Sequence, residues 1–183
     1  MARVPYCTKD DLPEEHRELF ERTERSRSSP VTNLVKALAH VPTVLEYRTA
    51  YSNSLRRDTK LPRRDAELAI LSVGHFTGSN YEFVHHIKAG LAAGLRSEQI
   101  KALDDFETSA EFSDHERAIV RYAWEATLKI RVSQETWSEI SRHLERSLLI
   151  ELVLIVAWYN QTVRVVDPLQ IDLEDSYKDV RLP

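Results

Sequence analysis

Glu82 and His86 stand four residues apart in the stretch GSNYEFVHHIKAG (78–90), so on a helix they share one face. A carboxylate beside an imidazole can pass a proton between groups of different natural pKa, which is the equipment of general acid–base chemistry. The plainer alternative is a hydrogen-bonded pair on a solvated helix face. Ala89 and Ala93 continue that face, and small residues there leave room for a ligand or a closely packed neighbour. His85 falls on a neighbouring face, while Phe83, Ile87 and Leu91 form an apolar stripe expected to meet the core. One helix upstream, Glu67 sits in RRDAELAIL among residues that read as buried. A carboxylate on that face needs a donor such as His86 or Arg64; otherwise it is a first-turn acid favoured by the helix dipole. His75, at the end of the same helix, reads as a favourable C-terminal cation. Glu82 and His85 also have the Glu-x-x-His spacing of di-iron bundles, but the sequence contains no second such motif, so no metal is assigned.

The elements that must position these residues all read as helical. A first helix is expected over Leu12–Ser26, with Asp11 as N-cap and Pro13 in its first turn, broken by SRSSP (26–30). Leu34, Val35, Leu38 and Ala39 make the stripe of a second helix. Pro42 opens a third, whose stripe is Val44, Leu45, Tyr47, Tyr51 and Leu55. Pro62 opens the helix carrying Asp65 and Glu67, and Thr77-Gly78 ends it as a C-cap. Ser79 or Asn80 then caps the helix of Glu82 and His86, which Gly94 closes. Ser97 caps a short helix, 106–116 is an exposed loop, and Asp114 opens a helix through Lys129. Ser133 and Glu135–His143 give an amphipathic helix, followed by a buried one over Leu148–Tyr159. The expectation is one all-α domain over 1–183, of seven to nine helices, with an extended acidic tail over 168–183.

Bulk properties narrow the function classes. The chain's 183 residues suffice for one domain with a real core, and only four glycines favour helices. The net charge of −4 comes from interspersed signs with no basic block, which argues against a nucleic-acid partner. Cys7 is the sole cysteine, in an N-terminal segment expected to be mobile, so neither an intrachain disulfide nor a Cys-x-x-Cys pair exists. The N-terminus lacks the apolar stretch of a signal peptide, and Leu148–Tyr159 is too short to span a membrane. A cytoplasmic protein with no membrane partner is expected.

The segment LPRRDAELAILSVGHFTGSNYEFVHHIKAGLAAGLRSEQIKAL (61–103) resembles the carboxymuconolactone decarboxylase and alkylhydroperoxidase D-like superfamily. It carries the members' R-x-x-E-L-x-I-L helix and T-G-x-x-Y-E turn, and where they have a His followed by A-x-x-A-G-L it has His86 followed by AGLAAGL (89–95). LVLIVAWYNQTVRVVDPLQIDLE also looks like the later helix and tail of the longer members. The resemblance implies an AhpD-like multi-helical bundle. It puts Glu67, Ser79, Glu82 and His86 where the peroxidase branch has Glu, Cys, Cys and His, with Tyr81 of the turn counted among the site residues. A serine cannot form the sulfenate or disulfide of a thiol peroxidase cycle. The decarboxylase branch instead has a Glu-x-x-x-His here, which Glu82 and His86 match.

That likeness implies lyase chemistry on a small carboxylic acid or lactone, by proton transfer without metal or organic cofactor. His86 would move the proton, Glu82 would orient the imidazole, and Glu67 would complete the relay. Arg64, Lys88 and Arg164 are the candidate cations for an anionic substrate. Family members form dimers, trimers or hexamers, so a homo-oligomer is expected. Two alternatives stay open: a degenerate antioxidant protein of the peroxidase branch, and a non-enzymatic oligomeric ligand-binding protein.

Overall fold

The computed structural model describes residues 2–27 and 30–182, and among these it is helical with no strand. Its helices are α1 (Glu18–Arg27), α2 (Asn33–Leu38), α3 (Pro42–Arg57), α4 (Arg63–Thr77) and α5 (Asn80–Ala92). There follow α6 (Ser97–Lys101), α7 (Asp114–Leu128), α8 (Gln134–His143) and α9 (Arg146–Leu169). The expected all-α bundle is what the chain forms.

α4 is the central element. Its residues from Asp65 to Gly74 are all buried, and it packs against α5, α7 and α9. Leu68, Leu71 and Val73 are fully enclosed, and burial of each such side chain contributes about 1.5–3 kcal/mol. Two glycines let α5 lie close to α4. A Cβ on Gly74 would meet the backbone of Phe83 at 3.0 Å, and one on Gly90 would meet Leu71 Cδ1 at 2.8 Å. Gly78, at φ 70°, supplies the left-handed residue that ends α4 and reverses the chain into α5.

Several boundaries differ from the sequence reading. Leu12–Ser26 is not one helix: short 3-10 turns cover Lys9–Asp11 and Glu14–His16, and α1 begins at Glu18. Pro13 holds extended backbone between those turns, and the Asp11 carboxylate accepts from Thr8 instead of capping a helix ahead of it. Of the SRSSP break, residues 28–29 lie outside those described. Cys7 is buried against Leu12, Leu19, Phe20, Val35 and Leu45, and its amide bonds to Lys36 O, so this segment is packed, contrary to expectation. On α3 the stripe is wrong in part: Leu45 and Leu55 are buried, but Val44 and Tyr47 are 62% and 74% exposed.

α9 runs for 24 residues, double the apolar run read from sequence, and by length and composition it could cross a membrane. The length argument therefore fails. In the bundle, however, α9 is a core helix: Leu149, Leu152, Ile155, Val156, Tyr159, Val163 and Val166 form its buried face, packed on α3, α4, α5, α7 and α8. Its Glu151 accepts from the Lys60 and Leu61 amides ahead of α4. Pro168 lies in its last turn, so the tail starts only after Leu169, with Gln170 in the left-handed conformation.

Candidate active site

α4 and α5 cross closely enough for Glu67 and His86 to meet. Glu67 is seven residues before Gly74 on α4, and His86 is four before Gly90 on α5, so both pairs lie on the facing surfaces. His86 Nδ1 lies 2.7 Å from Glu67 Oε2, and its Nε2 lies 3.2 Å from Glu82 Oε1. The other Glu67 oxygen ion-pairs with the Arg63 guanidinium, one turn earlier on α4. Glu67 is 0% exposed, so the partner foreseen as His86 or Arg64 is His86, with Arg63 taking the second place. The solvated-pair reading of Glu82 and His86 does not hold, since Glu82 is buried and only 14% of the His86 side chain is exposed.

These carboxylates fix the charge of the ring. Burial by itself would depress the imidazolium, but the Glu67 charge and hydrogen bond, helped by Glu82, push the His86 pKa up to about 9. Reciprocally, burial would raise the Glu67 carboxyl, but His86 and Arg63 hold it below the usual carboxylate range. At neutral pH the imidazolium is therefore held against the Glu67 carboxylate, a proton ready for donation.

Glu82 and His86 open onto a cavity of about 200 Å³. An engineered cavity of about 150 Å³ holds benzene, so this one accommodates a single substituted ring. Its opposite wall comes from α3 and α9. Arg48 and Arg56 project from α3 with Ser52 between them, and Arg63 joins from α4. The Arg48 guanidinium lies 4.4 Å from the Trp158 ring centre and donates to Thr162 Oγ1 at 3.0 Å. Tyr159 stands edge-on to His86, with ring centres 4.9 Å apart. Among the lining residues Arg48, Arg56, Arg63 and the His86 imidazolium face a single carboxylate, Glu82, so the cavity is electropositive.

The remaining sequence candidates fall around this centre. Ala89 lines the cavity, as small residues on that face allow, but Ala93 does not. Tyr81 also lines it, yet its hydroxyl donates to Glu174 Oε1 of the tail at 2.8 Å. Ser79 lies at the start of α5 and its hydroxyl donates to Asp167 Oδ1 at 3.1 Å; it is not a lining residue. His85 is closer to the site than expected: it lines the cavity, stacked between Tyr81 and Tyr177 at 4.3 and 3.9 Å, with Nε2 2.6 Å from Glu174. His75 pairs with Asp104 at 2.8 Å. None of the three expected cations lines the cavity. Arg64 binds Glu116 and Gln99, Lys88 lies near the Tyr177 ring, and Arg164 bonds Asn160. Among the described residues no three His, Cys, Asp or Glu side chains are arranged so as to hold one metal ion.

Sequence reasoning missed Arg48, Arg56 and Arg63, and also the part played by the tail. A signal for the first was present: Arg48, Ser52 and Arg56 repeat every fourth residue along α3, and Arg63 precedes Glu67 by four.

Comparison with known proteins bears on the fold. Residues 42–125 match the carboxymuconolactone decarboxylase family. No curated protein matches the sequence significantly. Among solved structures, the debrominase Bmp8, as a cysteine-to-alanine variant in complex with 2,3,4-tribromopyrrole, superposes with a TM-score of 0.81 at 16% identity, over 98% of this chain and 96% of that one. An uncharacterized peroxidase-related protein with an alkylhydroperoxidase AhpD core, from Ralstonia eutropha JMP134, gives 0.80 at 17% identity, over 96% and 94%. A peroxidase-related protein from Silicibacter sp. TM1040 gives 0.79 at 18% identity, over 97% and 93%. Residues 42–125 thus carry the sequence pattern of the carboxymuconolactone decarboxylase family, and the chain shares the fold of alkylhydroperoxidase AhpD-like proteins while having no cysteine pair.

Proposed function

We propose that the protein is a cofactor-free enzyme of lyase type, moving a proton on a small carboxylate or carboxylated lactone. The observation that carries this reading is the Glu67–His86–Glu82 chain, which ends on the wall of a ring-sized cavity lined by Arg48, Arg56 and Arg63. The arginines hold the anionic substrate, since charge-assisted hydrogen bonds from guanidinium are well suited to carboxylates. Glu82 is the carboxylate that meets the substrate. His86, protonated at rest, resupplies it, and Glu67 stabilises the imidazolium from behind. The relay thus works as an acid first, delivering a proton to the carbon from which a carboxylate departs.

A thiol cycle is the weaker reading. Ser79 and Glu82 occupy the cysteine positions, and burial pushes the Cys7 thiol pKa up in a separate cluster of α1–α3 and the N-terminal segment. We further propose a cytoplasmic homo-oligomer with no nucleic-acid or membrane partner. Exposed Val44, Tyr47 and Tyr51 on α3, and Ile150 and Leu154 on α9, support association with a second copy.

Carboxymuconolactone turnover, followed by release of CO₂, tests the reading. His86→Ala and Glu82→Gln should each lower it by about 10²-fold. Unchanged turnover in both variants rules out the mechanism.

A further inference from the structure

Tyr159 has no role in the relay, yet its setting is that of a reacting group. It is 7% exposed, lines the cavity, and stands edge-on to His86. Its hydroxyl has no hydrogen-bond partner among the described residues, whereas that of Tyr81 in the same wall is taken by Glu174. The Tyr159 hydroxyl is not sealed within protein but opens onto the cavity, where it can donate to a bound molecule.

We propose that Tyr159 is a further catalytic residue, donating a hydrogen bond to the substrate oxygen that gains negative charge as the carboxylate leaves. The inference rests on the acid–base reading above. In the step, the bond from carbon to the carboxylate breaks and CO₂ departs. The electron pair moves into the adjoining unsaturated carbonyl and leaves an enolate oxygen. Tyr159 donates to that oxygen and keeps its proton. Glu82, resupplied by His86, then protonates the carbon, and solvent restores the relay, so one proton is consumed for each CO₂ released. Burial, with the charges of Glu82 and Glu67, raises the phenol's pKa, which keeps it a neutral donor. A fixed donor at an oxyanion discriminates the transition state from the ground state, because it strengthens only as charge develops.

Tyr159→Phe preserves the ring and its packing on His86, and an unchanged melting temperature verifies the fold. Two probes separate the oxyanion from the carboxylate: 4-nitrophenolate, read by its visible absorbance, and benzoate. The variant should bind 4-nitrophenolate about 10-fold more weakly, the loss of one hydrogen bond to a charged group, and bind benzoate as the wild type does. With carboxymuconolactone, kcat should fall by about 10²-fold with KM little changed. Equal losses for both probes, an unchanged phenolate affinity, or a wild type that does not bind the phenolate overturns the proposal. Failure of the acid–base reading looks different: Glu82→Gln keeps full turnover, while the two-probe comparison still decides whether Tyr159 donates to an oxyanion.

Discussion

Replacing Glu67 by Gln probes the electrostatics on which the relay depends. Glutamine keeps the size and can still accept a hydrogen bond from His86 Nδ1, but it carries no charge. In the native protein, burial works against the imidazolium, and Glu67 more than reverses it, with Glu82 second, to reach about 9. A lift from about 6.5 to about 9 corresponds to about 3 kcal/mol in favour of the charged ring. Without the Glu67 charge, desolvation regains its influence and the pKa should fall back to about 6.5 or below. The folded pKa exceeds the unfolded one, so this stabilisation is fully present below about pH 6.5 and is lost as pH rises through about 9. Urea denaturation should therefore show wild-type stability falling by up to about 3 kcal/mol across that window, and Glu67→Gln should lack most of the fall. The ring itself can be followed by NMR titration of its Cε1–H signal, assigned by its absence in His86→Ala. A wild-type His86 titrating near 6.5, or a variant titrating at the wild-type value, would refute the reasoning.

Other parts of the account give their own tests. Arg48→Gln and Arg56→Gln should each weaken benzoate binding by about 10-fold, one charge-assisted hydrogen bond, while a neutral lactone is little affected; calorimetry distinguishes the two. Gly90→Ala forces a Cβ against Leu71 and Leu95, and overpacking of this kind costs about 1–3 kcal/mol, readable as a lower melting temperature. Glu174 is half-buried, which would raise its pKa, yet hydrogen bonds from His85 and the Asn33 amide hold it down to about 2. Its stabilisation is present above the ordinary carboxylate range and lost as pH falls through about 2, so Glu174→Gln should flatten acid denaturation there. Thiol-dependent peroxide consumption should be absent in the wild type and in Cys7→Ser alike; activity abolished by that substitution would restore the redox reading.

The α4–α5 hairpin was legible because its signals are local. Pro62 and Gly78 mark its limits, four-residue spacing pairs Glu82 with His86, and an acid amid apolar neighbours marks Glu67 as needing a partner. The cavity wall was less legible because it joins segments far apart in the chain. Helical stripe counting placed Val44, Tyr47 and Tyr51 of α3 inward, since apolar residues usually face a core. The inward face instead carries Leu45, Arg48, Ser52 and Arg56, because part of what α3 faces is a polar cavity. The tail is a similar case: Glu174 and Tyr177 reach back to His85 across some ninety residues, a contact no periodicity encodes. His85 was set aside by face counting on α5, but its partners come from that tail.

Hydrogen exchange at carbon tests the central claim most directly. Small carboxylates and carboxylated lactones that stabilise the protein on heating are incubated with it in D₂O, and NMR follows deuterium entering at carbon. The account predicts enzyme-dependent incorporation into at least one ligand, with loss of CO₂ where a carboxylate can leave. Glu82→Gln and His86→Ala should each reduce the rate by about 10²-fold while the ligand still binds. Ligands that bind in the arginine-lined cavity but exchange no faster than in buffer, or exchange equally fast in both variants, would contradict it.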